Sequence, residues 1–206
     1  ITELVDAQKR IRSLAYYDNL TGLANRQLFR ELLQHELQRA LRQNTQCALL
    51  FIDLDRFKRI NDTLGQPAGD LVLQTIGNRI NSCIRGCDVA ALHYEDDQKS
   101  EQVARLGSDE FTVILTDIEQ PEDAAQIVQR ILEAIAQPID GLGQEVLVSA
   151  SIGIALGPQD GSDVETLIKN ADLAMYAAKD KGRNTYQFFD KTMNDVVLDK
   201  FALEND

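Results

Sequence analysis

The chain has 206 residues, 44% of them hydrophobic, which suffices for one closed core, and 33 acidic against 21 basic side chains leave a formal net charge of -12. That balance excludes a broad basic surface for tracking a nucleic-acid backbone, although a nucleotide asks only for a few local cations, backbone N–H groups and a divalent metal. Cys47, Cys83 and Cys87 are odd in number and set no disulfide framework; Cys83, Cys87 and His93 fit no common zinc spacing, and the longest apolar run, 47–52, falls far short of the about 20 residues a bilayer span needs. The expectation is a cytoplasmic domain without membrane contact of its own, and an initial Ile in place of Met suggests a segment of a longer protein.

Leu4, Ala7, Ile11 and Leu14 recur at heptad spacing, which predicts a helical lead-in over 1–17 that either dimerises or packs on its own domain. After the turn signal Asp18-Asn19, a helix bearing Leu28, Leu32, Leu33 and Leu37 on one side runs to about Arg42. The continuous apolar run 47–53 predicts a strand covered on both faces, with acids at its C-terminal end. A helix over 68–84 follows from the recurrence of Leu73, Ile76, Ile80 and Ile84, and then comes a polar, acidic stretch over 89–102. Val103–Leu106 and Phe111–Leu115 predict a hairpin around Gly107-Ser108, Pro121 opens a helix to about Ala136, and Glu145–Leu156 alternates as a strand. A helix over Val164–Lys181 and a short strand over Tyr186–Phe189 complete an α/β (α+β) fold, a mixed central sheet flanked by helices with one β-hairpin.

Three groups of residues carry chemistry. Asp53 and Asp55, with Lys58 close behind, follow directly on the buried strand, and Asp109-Glu110 stand beside the hairpin turn. Hard cations such as Mg²⁺ need oxygen ligands on a rigid support, and two strand ends brought together would supply them; taken singly, each pair also reads as solvated loop acids. Lys179 and Arg183, four apart near the end of the last helix, could hold a triphosphate or merely cap the helix before Gly182. Asn61 and Asp70, flanking Gly65 and Gly69, offer the donors and acceptors that a guanine edge requires, or serve as caps of adjacent helices.

In this order the segments closely resemble the GGDEF family of diguanylate cyclases, from about Tyr16 to Phe189. The likeness lies in Asp18-Asn19-Leu20-Thr21-Gly22-Leu23-Ala24-Asn25-Arg26, in Phe51-Ile52-Asp53-Leu54-Asp55-Arg56-Phe57-Lys58-Arg59-Ile60-Asn61-Asp62, and in the signature Arg105-Leu106-Gly107-Ser108-Asp109-Glu110-Phe111. The resemblance implies a fold like the palm of polymerases and class III nucleotide cyclases, with Mg²⁺ (or Mn²⁺) held by Asp53, the Leu54 carbonyl and Asp109, and with Glu110 beside that site. It also implies that Asn61 and Asp70 read guanine, that Lys58, Lys179 and Arg183 neutralise phosphates, and that Phe57, Gly107 and Ser108 line the nucleotide. The implied reaction joins two GTP into cyclic di-GMP across a homodimer, each domain giving half of the site.

Three departures from the family pattern matter. Ser108 replaces the second signature glycine, where a Cβ brings either a clash or left-handed strain of about 1–2 kcal/mol, so that binding could survive where turnover does not. Gln66 replaces a histidine in Gly65-Gln66-Pro67-Ala68-Gly69-Asp70. Arg85 and Asp88 match the RxxD site for inhibitory product, but 89–102 reads as an insertion behind it. The flanks resemble a linker leaving a PAS sensor domain (1–17) and a connector toward an EAL phosphodiesterase domain (191–206), with the GGDEF domain over 18–190. Two readings follow: a diguanylate cyclase, or a GTP-binding domain without turnover that regulates an attached EAL domain.

Overall fold

The apolar run forms β1 (Gln46–Leu54), buried without interruption from Cys47 to Leu54, and the rest of the fold is arranged around it. The structure, a computed structural model, describes residues 15–85, 102–141 and 143–194; the expected lead-in helix before residue 15, the stretch 86–101 and the C-terminal connector from 195 lie outside them. β1 pairs antiparallel on both sides, with β3 (Glu110–Ile118) and β4 (Ala150–Gly157), while β2 (Val103–Arg105) adds to β3 and β5 (Thr185–Phe188) runs parallel to β4. The sheet order is therefore β2-β3-β1-β4-β5, a mixed sheet containing the expected hairpin.

Period-two geometry explains why β1 is apolar throughout. Successive side chains point to opposite faces, and both faces are covered. Ala48, Leu50 and Ile52 face one core with Ile76, Ile80 and Ile131, whereas Leu49 and Phe51 face the other with Phe29, Leu33, Leu167 and Met175. The first core is closed by α3 (Gln66–Arg85) and α4 (Pro121–Ile135), the second by α1 (Arg26–Gln43) and α5 (Val164–Asp180). On the second face α5 lies directly on β4, because Gly153 carries no side chain; a Cβ there would stand 2.0 Å from the Ala171 carbonyl oxygen. This close approach fixes where the last turn of α5 projects beyond the sheet.

Two elements differ from the sequence expectation. The helix α2 (Phe57–Leu64) occupies the stretch read only as a string of motif residues, its eight residues being too few to show a helical period. It starts at Arg56 in the left-handed region (φ 57°) without a side-chain cap and stops at Gly65 (φ 85°), where the chain turns at once into α3. The strand expected from Glu145 starts only at Ala150, since β1, its partner, ends at Leu54; residues 145–149 contribute an isolated bridge, Val146 to Ile139.

Candidate active site

The register of the sheet brings the predicted carboxylates together. Asp53 lies opposite Glu110 of β3 and Ser151 of β4, and the Leu54 N–H donates to the Asp109 carbonyl at 3.1 Å, clamping the hairpin turn to the end of β1. Asp53 is only 9% exposed and receives Lys179, whose Nζ stands 2.8 Å from Asp53 Oδ1. Burial pushes the Asp53 carboxyl above the ordinary carboxylate range; Lys179 opposes this, and the charges of Asp109 and Glu110 add to it. Glu110 is raised by burial and then by the charge of Asp172, against Arg26 and Lys179.

Asp172 is the functional candidate that sequence reasoning missed. It precedes Lys179 by seven residues on α5 and so shares its helix face, a signal legible from spacing alone. It lines a cavity of about 240 Å³ with Glu110, Arg26 and Lys169, and its carboxyl is raised by burial and by the charge of Asp53, against Lys179.

Asp55, the neighbouring acid of the motif, has a different fate. Its Oδ2 accepts from Ser149 Oγ (2.7 Å) and the Asn184 N–H (3.0 Å), and its Oδ1 accepts from Ser151 Oγ (2.7 Å). The second acid of the motif thus ties the end of β1 to the start of β4 and to the chain leaving α5.

The first motif braces the hairpin. Asp18 accepts from the Thr21 N–H and Oγ1 (2.8 and 2.7 Å) and pairs with Arg105, whose Nη2 donates to the Ser108 carbonyl at 2.9 Å. Burial works against the charge on Asp18, but Thr21 and Arg105 outweigh it and hold its carboxyl below the ordinary range. Arg26 adds a bond to the Leu106 carbonyl at 3.2 Å. At the tip, the expected strain at Ser108 is corrected: the described non-glycine residues of positive φ are Asn44, Arg56, Asp117, Arg183 and Asn184, and neither Ser108 nor Gly107 adopts one. Ser108 Oγ instead donates to Asp109 Oδ1 at 2.6 Å. A Cβ at Gly107 would lie 2.7 Å from Glu110 Oε2, so a side chain there would push the Glu110 carboxylate aside.

The junction of α2 and α3 brings Asn61 and Asp70 into one place. A Cβ at Gly69 would fall 1.8 Å from Asn61 Oδ1, so glycine alone admits this amide, and Phe57, 3% exposed, packs beside it. Asn61 Oδ1 is buried without a hydrogen-bond partner, an acceptor suited to an external N–H donor. Gln66 Nε2 donates to Asp70 Oδ1 at 3.2 Å, so the residue replacing histidine steadies the neighbouring carboxylate.

The cations are dispersed. Lys58 is exposed in the first turn of α2, and Lys179 is drawn inward to Asp53. Arg183 does not share the helix face of Lys179, because α5 ends at Asp180 and Arg183 follows in the left-handed region (φ 67°); it lines a cavity of about 450 Å³ with Arg56 and Arg59. The side chain of Arg85, and Asp88, lie outside the described residues. Among the described residues no three His, Cys, Asp or Glu side chains form a ready-made metal cage, and no helix is long and apolar enough to cross a membrane. The donor set of Asp53, the Leu54 carbonyl and Asp109 is nevertheless one of hard oxygens, and the Lys179 ammonium on Asp53 marks a place where positive charge is favoured.

Residues 15–185 match the family described as diguanylate cyclase, GGDEF domain. The chain is 42% identical over 205 residues to the bifunctional diguanylate cyclase/cyclic di-GMP phosphodiesterase MucR of Pseudomonas aeruginosa, covering 100% of this chain and 28% of that protein. It is 38% identical over 193 residues to the cyclic di-GMP phosphodiesterase NbdA of the same organism, covering 94% of this chain and 23% of that one. The chain therefore spans about a quarter of the length of these relatives. Among solved structures, the GGDEF domain of TpbB (YfiN) from Pseudomonas aeruginosa superposes with a TM-score of 0.78 at 38% identity, covering 89% of this chain and 99% of that one.

Proposed function

This chain belongs to the GGDEF family of diguanylate cyclase domains, and we propose that it condenses two GTP molecules into cyclic di-GMP with release of pyrophosphate, as a cytoplasmic element of bacterial second-messenger signalling. The observation that carries this reading is the convergence of Asp53, Asp109 and Glu110 at the ends of two paired strands, with Lys179 among them. In this proposal Asp53, the Leu54 carbonyl and Asp109 hold Mg²⁺ (or Mn²⁺), which when bound supplies positive charge to the reacting phosphate and lowers the pKa of a bound hydroxyl.

The chain's own residues do the rest. The orphaned Asn61 Oδ1 and the Asp70 carboxylate accept from the N–H groups of guanine. Lys58, Lys179 and Arg183 offset phosphate charge, while buried Phe57 places the backbone N–H groups that open α2. Glu110, with its carboxyl already raised, takes the proton of the 3′-hydroxyl. The 3′-oxygen forms its bond to the α-phosphorus of the second GTP as the bond to the bridging oxygen breaks and pyrophosphate leaves. A homodimer runs the step twice, one half-site from each domain, and tandem PAS and EAL domains stand on either side in the full protein.

A second reading is favoured by one observation, the Ser108 hydroxyl bound to Asp109 Oδ1, which takes up one of the lone pairs that carboxylate has for a metal. It makes the domain a GTP-binding regulator of an attached phosphodiesterase. Conversion of GTP to cyclic di-GMP with Mg²⁺, followed at several protein concentrations beside direct GTP binding, separates the two. A rate rising faster than linearly with protein supports the dimeric cyclase; binding without product, with dimerisation enforced, supports the regulator.

A further inference from the structure

Two roles proposed above compete within the structure. Asp53 is assigned to the divalent cation and Lys179 to phosphate, yet they hold each other at 2.8 Å, with side chains 12% and 23% exposed. The ammonium is also 5.6 Å from the ring centroid of Tyr176, and Asp172, two helical turns before it on the same face, adds a second negative charge. A divalent cation placed on Asp53 would meet this ammonium within a few ångströms, where water screens weakly. Removing the ammonium without replacement would leave Asp53, Asp109, Glu110 and Asp172 repelling one another.

We infer that Lys179 is the counter-cation of the nucleotide-free site, so that metal and GTP bind together and metal does not bind first. The exchange keeps Asp53 compensated: phosphate draws the Lys179 ammonium away, and Asp53 would then be open to a divalent cation of higher charge. Asp172 is a positioning residue in this exchange, keeping the ammonium within reach of both stations from its place on α5. Because coupling is reciprocal, nucleotide strengthens metal binding by the same factor as metal strengthens nucleotide binding. The inference rests on the cyclase reading of Asp53 and Lys179, and it adds an order of assembly to that reading.

The test is binding of Mn²⁺, followed by electron paramagnetic resonance of the free ion, with and without a GTP analogue carrying a non-cleavable α,β-methylene bridge, each titration being set against the same analogue and Mn²⁺ without protein. The wild-type chain should take up Mn²⁺ only with the analogue. Lys179→Met should bind Mn²⁺ without nucleotide at least about tenfold more tightly than the wild type and bind the analogue more weakly. Lys179→Arg, which keeps the charge, should behave as the wild type. Adding Asp53→Asn to Lys179→Met should abolish the gained Mn²⁺ binding. Analogue-dependent Mn²⁺ uptake by the wild type, with unchanged or weaker nucleotide-free binding in a folded Lys179→Met variant, would overturn the inference alone. Persistence of the gained Mn²⁺ after Asp53→Asn, or no analogue-dependent uptake by the wild type, would overturn the metal assignment and the inference with it.

Discussion

Asp53 and Asp55 leave the same strand two residues apart and are almost equally buried, at 9% and 8% exposure, yet their surroundings are opposite. Asp55 is enclosed by two hydroxyls and a backbone N–H, all donating to it. Asp53 has a single ammonium and faces other carboxylates, so burial and repulsion lift its carboxyl. The difference teaches which acids build the fold and which are held ready for a ligand. A carboxylate whose lone pairs are mostly taken by the protein's own donors has little left to offer elsewhere, whereas an under-compensated one gains when an outside cation arrives.

Substitution of the two acids is the most direct way to break that comparison. On the proposed cyclase reading, Asp53→Asn should lower cyclic di-GMP formation on the order of a thousandfold, because it removes the carboxylate proposed to hold the metal, while the chain keeps its fold. Asp55→Ala should instead unfold more easily, by about 2–4 kcal/mol in urea titration, since Ser149, Ser151 and the Asn184 N–H lose their acceptor in a buried place. Equal losses of stability in the two variants would erase the distinction.

Much of this arrangement was legible in the sequence. The two-faced apolar run of β1 and the helical periods of α1, α3 and α5 were clear because each spans enough residues to show its repeat. α2 was not, being eight residues bounded by left-handed Arg56 and Gly65. The role of Asp55 was not legible, because a motif records which acids recur together but not which donors surround each one. Those donors, Ser149, Ser151 and Asn184, lie 94 or more residues away in sequence. Strain or a clash at Ser108 is the expectation from glycine's usual reasons for occupying a turn; the hairpin turns without positive φ there, which removes the strain, and the serine hydroxyl bonds to Asp109.

The brace behind the hairpin sharpens the comparison from the structural side. Asp18 resembles Asp55 in being met by donors, but Arg105 adds a charge. Its folded-state carboxyl lies below 3.8, so the stability it contributes is present above that pH and is lost as the pH falls through the folded value. Asp18→Asn should therefore cost about 1–2 kcal/mol at neutral pH, and the gap to the wild type should close in acid. Denaturant titrations between pH 2 and about 7 measure both. A gap constant with pH would mean that the carboxylate's charge does not matter.

The smallest expected effect has the opposite sign. Asp172 has no donor among the contacts described and is raised by burial and by Asp53, so the protonated acid suits the folded chain better than the charged one. The folded value lies above 3.8; the penalty is absent below 3.8, grows as pH rises through the window to the folded value, and remains in full above it. Replacing the charge should then stabilise: Asp172→Asn is expected to gain roughly 0.5–1 kcal/mol at pH 7, kept small by the partial exposure of the group, and to lose that gain in acid. The same variant should release Lys179 less readily to phosphate, weakening binding of the GTP analogue while the fold grows firmer. Stability and nucleotide affinity moving in opposite directions is what an under-compensated acid maintained for function requires. If both fall together, Asp172 belongs with Asp18 and Asp55 among the acids that build the fold.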